Sequence, residues 1–111
     1  MQRIAFQLRI KAGMEAEYDR AHEAVWPELL RELEGLAVRE YSIFRRGQEL
    51  FLYLRVADFD RLLEQLAASE VNHKWQTAMA PLFEPVPGLE AGETFAMMRE
   101  VFYMPGMAEE E

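Results

Sequence analysis

The 111-residue chain sets 12 Lys and Arg against 20 Asp and Glu, a formal net charge of -8, and half of it (50%) is hydrophobic. Such usage excludes a disordered chain and suits one domain with a buried core. The acidic balance argues against nucleic-acid or anionic-membrane partners, which select basic surfaces. The lack of cysteine excludes disulfides, thiolate metal sites and a Cys nucleophile.

No apolar run reaches the ~18 residues of a membrane span. The N-terminus alternates instead of forming the apolar core of a signal peptide, which fits a cytoplasmic protein. Ile4, Phe6, Leu8 and Ile10 point one way, against Arg3, Ala5, Gln7, Arg9 and Lys11; a period of two predicts a strand. Ala12-Gly13 ends it. From Met14 the period is helical, with Met14, Tyr18, His22, Val25, Leu29 and Leu33 on one stripe. Gly35 stands at the expected C-terminal glycine position. Pro27 lacks an N–H and restricts Trp26 before it, so a kink or short break is expected near residues 23–27.

Val38–Arg45 and Glu49–Val56 read as two strands joined by a tight turn at Arg46-Gly47. Asp58 caps a second helix whose apolar stripe is Phe59, Leu62, Leu63 and Leu66. Ser69 caps a further helical piece carrying Val71, Trp75, Ala78, Met79 and Leu82, weakened at its end by Pro81. Residues 84–94, with Pro85, Pro87, Gly88 and Gly92, read as a loop. A last strand is expected from about Phe95 to Tyr103.

The order βαββαβ specifies an α+β chain. The short solution is ferredoxin-like: a four-stranded antiparallel sheet with both helical regions on one face. Residues 1–105 form the domain and 106–111 an acidic C-terminal tail. Phe51 and Tyr53 alternate with Leu50, Leu52 and Leu54, so the sheet has a second apolar face. Met97, Val101 and Tyr103 likewise lie opposite Ala96, Met98 and Phe102. Helices cover one face only, so the other is expected to meet a second copy in a homodimer, with Tyr53 and Met97 in that interface.

His22 is the leading candidate for chemistry. An imidazole donates and accepts protons near neutral pH, yet a packed ring bonded to a backbone carbonyl fits the same spacing. Tyr18 and Trp26, each a turn away, fit either a pocket or the core. Tyr41, mid-strand, can reach the helix-covered face or sit at the sheet rim. His73, between Asn72 and Lys74, reads as exposed. No metal-binding spacing, phosphate loop or serine elbow is present. Glu32/Glu34 and Asp58/Asp60 read as solvated faces.

These residues resemble the L-rhamnose mutarotase family from Arg3 to about Pro105. The resemblance rests on Ala5-Phe6, Glu17-Tyr18, His22 followed by Trp26-Pro27-Glu28, Tyr41, Trp75 with Met79, and Glu100-Val101-Phe102-Tyr103. It implies a dimeric α/β barrel that interconverts the α and β anomers of L-rhamnose, without metal or cofactor. The family's proton donor falls on His22, and its sugar-contacting positions on Tyr18, Tyr41, Trp75 and Gln76. Gln76 stands where the best-known members have a second Trp, which leaves open which monosaccharide fits. The alternatives are a monooxygenase of the same barrel class and a non-catalytic dimer that senses a small metabolite.

Overall fold

The computed structural model describes residues 1–93 and 95–106. Residues 107–111, and so nearly all of the expected acidic tail, lie outside the described residues, as does Thr94. Strand β1 (Gln2–Ile10) leads to helices α1 (Glu15–His22) and α2 (Pro27–Gly35). Strands β2 (Val38–Arg46) and β3 (Glu49–Val56) form a hairpin, followed by helices α3 (Phe59–Ala67) and α4 (Glu70–Met79). A 3₁₀ turn (Ala80–Leu82) precedes two short strands, β4 (Phe83–Glu84) and β5 (Ala96–Met98).

The sheet is antiparallel, in the order β2-β3-β1-β4, and β5 also pairs with β1. This is the expected ferredoxin-like α+β arrangement with its fourth strand divided in two. β4 takes Arg9 and Ile10 of β1, and β5 takes Ala5 to Gln7. The two residues of β4 are too few to show a strand's periodicity, so β4 is invisible in sequence. The long last strand expected over 95–103 shrinks to Ala96–Met98. Beyond it, Arg3 engages Glu100 through its side chain at 2.7 and 3.0 Å and lies 3.5 Å over the Tyr103 ring. Side-chain pairing stands where the backbone ladder would continue.

All four helices pack on one face. Phe6, Ile10, Leu50, Leu52, Leu54 and Val56 meet Tyr18, Leu29, Phe59, Leu62, Trp75 and Met79 in one core. The apolar stripe assigned from Met14 to Leu33 therefore faces the sheet despite the break within it. The caps form as expected: Asp58 accepts from Arg61 N at 3.1 Å and Ser69 from Asn72 N at 3.0 Å.

The opposite face carries Phe44 (64% exposed), Phe51 (44%) and Met98 (42%). Cross-strand partners share a face. Tyr53 pairs with Ala5 and Ala5 with Met98, whereas Met97 pairs with Phe6. Met97 thus belongs to the helix-covered side, and its assignment to the outer face is overturned; Met98 takes that place.

Gly35 is not the left-handed residue that ends α2. The helix runs through it, and Ala37 carries the positive φ of 66°. An alanine there is strained by roughly 1 kcal/mol relative to a helical alanine. Ala37→Gly should therefore stabilise the fold, by up to about 1 kcal/mol after the glycine's extra chain entropy is subtracted. Asp58→Ala should cost about 1 kcal/mol. Urea titrations check both, and a destabilised Ala37→Gly protein would contradict the strain.

Candidate active site

Pro27 shapes the site first. It occupies the first position of α2, where a missing N–H costs nothing, and Trp26 before it is extended at ψ 128°. The Trp26 carbonyl instead accepts the amides of Leu29 and Leu30 at 3.0 and 3.1 Å. α1 therefore ends at His22, and the expected break falls at Glu23–Trp26. It leaves Trp26 edge-on to Trp75, with ring centroids 5.1 Å apart at 86°.

His22 is half-buried on the last turn of α1. Its Nδ1 lies 2.9 Å from the Tyr18 carbonyl oxygen. A carbonyl only accepts, so Nδ1 carries the proton and Nε2 is left as the exchangeable nitrogen. Tyr18 packs against the ring at 4.2 Å and 30°, and Trp75 meets it edge-on at 5.5 Å and 87°. The carbonyl contact fits the structural reading of this histidine, and the free nitrogen fits the catalytic one.

Tyr41 arrives from the sheet. Between Val38, opposite Val56, and Glu40, opposite Arg55, the register shifts by one residue. This bulge at Arg39 lets Val38 and Tyr41 share the helix-covered face, because Tyr41 pairs with Leu54. Arg45, four pairs further along β2 and on the same face, grips Asp19 of α1 with two bonds of 2.7 and 2.5 Å. Hydrogen bonding to Arg45 and its charge hold the Asp19 carboxyl below the ordinary range. The fork ties the strand of Tyr41 to the helix of Tyr18 and His22.

Helix α4 brings Trp75, which is buried, and Gln76, which is exposed. Ser69 at its N-terminus donates to Glu32 of α2, so Glu32 is a tie between helices and not the solvated acid expected. Asn72, one turn before Gln76, donates to the Leu66 carbonyl at 3.1 Å.

His22, Tyr41, Trp75 and Gln76 line one cavity of about 610 Å³, walled by Leu29, Leu33 and Ile43 among others. Tyr18 is absent from that lining: at 4% exposure it lies behind His22. Asn72 lines the cavity too. Sequence reasoning passed over it, although its spacing of four from Gln76 put both on one helical face. His73 is exposed, as expected. Among the described residues no group of three or more metal-ligating side chains comes together, and no helix is long and apolar enough to cross a membrane.

A family model described as L-rhamnose mutarotase matches residues 3–104. An L-rhamnose mutarotase of Acidiphilium cryptum is 33% identical over 107 residues, covering 95% of this chain and 100% of that protein. One from Listeria monocytogenes is 32% identical, covering 94% and 99%. The crystal structure of an L-rhamnose mutarotase from Formosa agariphila superposes with a TM-score of 0.77 at 30% identity, covering 95% of this chain and all (100%) of that one.

The two tyrosines give the site an alkaline limit. Burial, then the charges of Tyr41 and Asp19, push the Tyr18 phenol well above its ordinary range. Although 43% of Tyr41 is exposed, desolvation of its hydroxyl pushes it up to about 12. Both phenols stay protonated at neutral pH and keep a proton to donate. Unfolded tyrosine ionises near 10, so stability is fully present below that pH and is lost as pH rises toward 12. Thermal melts between pH 8 and 12 should show this loss. The Tyr18→Phe/Tyr41→Phe double variant should flatten it; an unchanged slope would contradict the desolvation.

Proposed function

This chain belongs to the L-rhamnose mutarotase family, and from that premise we propose that it interconverts the α and β anomers of L-rhamnose or a related aldose, with His22 moving the proton at the ring oxygen. The observation that carries this reading is the His22 contact with the Tyr18 carbonyl. It occupies Nδ1 and frees Nε2, on a ring that lines the cavity with Tyr41, Trp75 and Gln76.

The reaction needs no redox step. Protonated His22 gives its Nε2 proton to the ring oxygen while the anomeric hydroxyl loses one to water. The bond between the anomeric carbon and the ring oxygen breaks and a carbonyl forms. Rotation about the neighbouring carbon–carbon bond turns the aldehyde over. On closure the ring hydroxyl attacks the other face, Nε2 takes its proton back and the anomeric oxygen regains one. Tyr41, held protonated, donates a hydrogen bond to a sugar oxygen, and Trp75 offers an aromatic surface. Tyr18 acts from behind, fixing the ring that moves the proton. One positioned acid–base group contributes about 10²- to 10⁴-fold. That suffices for a reaction that already runs in water.

The same reading makes the protein a cytoplasmic homodimer. Its cysteine-free composition fits a reducing compartment, and the outer sheet face with Phe44, Phe51 and Met98 is apolar and uncovered within one chain. No observation favours the monooxygenase or the sensor.

Saturation transfer between the two anomeric proton signals of L-rhamnose measures turnover directly. His22→Ala should lose at least about 10²-fold while keeping its circular dichroism spectrum, and His73→Ala should exchange like the wild type. A folded His22→Ala protein that exchanges at the wild-type rate would falsify the assignment. Light scattering should give twice the monomer mass, and Phe51→Glu should shift the protein toward monomer. A wild-type monomer at micromolar concentration would overturn the face-to-face dimer.

A further inference from the structure

The cavity wall is mostly apolar, with Val25, Leu29, Leu33, Ile43 and Leu66 along it. Two of its charged side chains are engaged elsewhere: Glu40 pairs with Arg55 at 3.3 Å and Arg39 reaches the Glu34 backbone carbonyl at 3.4 Å. Two neutral amides interrupt the apolar surface, Asn72 and Gln76, one helical turn apart on α4.

Their bonds run in one direction. Asn72 spends an N–H on the Leu66 carbonyl at 3.1 Å, near the C-terminal end of α3. That bond fixes the Asn72 oxygen, which accepts from Gln76 Nε2 at 3.5 Å. Gln76 then keeps a carbonyl oxygen and its second N–H for a ligand. A side-chain amide with both groups available matches two adjacent hydroxyls, accepting from one and donating to the other. An aromatic face at the same place would read shape and not hydroxyl positions.

We propose that Asn72 is a positioning residue that orients the Gln76 amide to grip a vicinal diol of the sugar, so that this chain selects aldoses by an adjacent hydroxyl pair. The inference rests on the mutarotase reading and adds to it a substrate class. A site built to bond a hydroxyl discriminates against an analogue that lacks it, because its polar groups are left without partners.

The test uses L-rhamnose and its 2-, 3- and 4-monodeoxy forms with the full-length protein. Each is followed by anomeric saturation transfer and, independently, by binding through tryptophan fluorescence. In the wild type, loss of either hydroxyl of one neighbouring pair should weaken binding and kcat/KM by roughly tenfold, and loss of the third hydroxyl by much less. Gln76→Leu should bring the deoxy sugars close to L-rhamnose. Asn72→Ala should partly flatten the same pattern and raise KM more than it lowers kcat, as expected of a residue that orients another. Gln76 is exposed, so its variant should fold normally.

Discrimination that persists in Gln76→Leu, or a wild type indifferent to all three hydroxyls, overturns the proposal. Because binding is read separately, sugars that bind with the expected pattern but do not exchange would support the diol grip and overturn the catalytic reading instead.

Discussion

The bond between His22 Nδ1 and the Tyr18 carbonyl is the contact on which the site depends. It joins residues four apart on one helix, so it needs no long-range geometry to form, and it decides which ring nitrogen faces outward. His22 is also the last residue of α1. A helix continued past His22 would run into Pro27, which has no amide to offer the carbonyl four residues back. The chain turns at Glu23–Trp26 instead, and the turn sets Trp26 against Trp75 and Trp75 against His22. One residue without an N–H thus arranges an aromatic wall around one imidazole.

The sheet supplies the other half of the site, and it does so by an irregularity. Strict alternation along β2 would put Val38 and Tyr41 on opposite faces; the bulge at Arg39 puts both on the helix side. Asp19 and Arg45 then link α1 to β2 at the surface. An exposed pair of this kind adds little to global stability; its use is to hold two elements in register. The site is built on a helix end and a strand, elements that position side chains more closely than loops do.

Much of this could be read from the residues. The ferredoxin-like order, the helix break before Pro27, both N-caps and the convergence of His22, Tyr41, Trp75 and Gln76 follow from periodicity, capping chemistry and the family resemblance. What escaped reading has identifiable causes. β4 has two residues and leaves no period. The Arg39 bulge depends on pairing with β3, which a single strand does not display. Met97 lies on the face opposite to the one expected because the register of a three-residue strand is set by its neighbour β1. Ala37 takes the left-handed conformation two residues past a glycine better suited to it, because α2 runs through Gly35 and is capped at Leu36. Asn72 passed unnoticed because its importance lies in a bond to Leu66 on another helix. Tyr18 is buried against the His22 ring, a depth that helical spacing does not carry.

The site turns on the orientation of one imidazole, and nitrogen NMR reads that orientation without reference to turnover. Long-range ¹H–¹⁵N correlation of the His22 ring, recorded where the ring is neutral, distinguishes the two tautomers. The proton is expected on Nδ1, bonded to the Tyr18 carbonyl, with Nε2 bare. A ring protonated on Nε2 and bare at Nδ1 would contradict it, because the carbonyl contact would then be absent and the nitrogen assigned to the sugar would already be occupied.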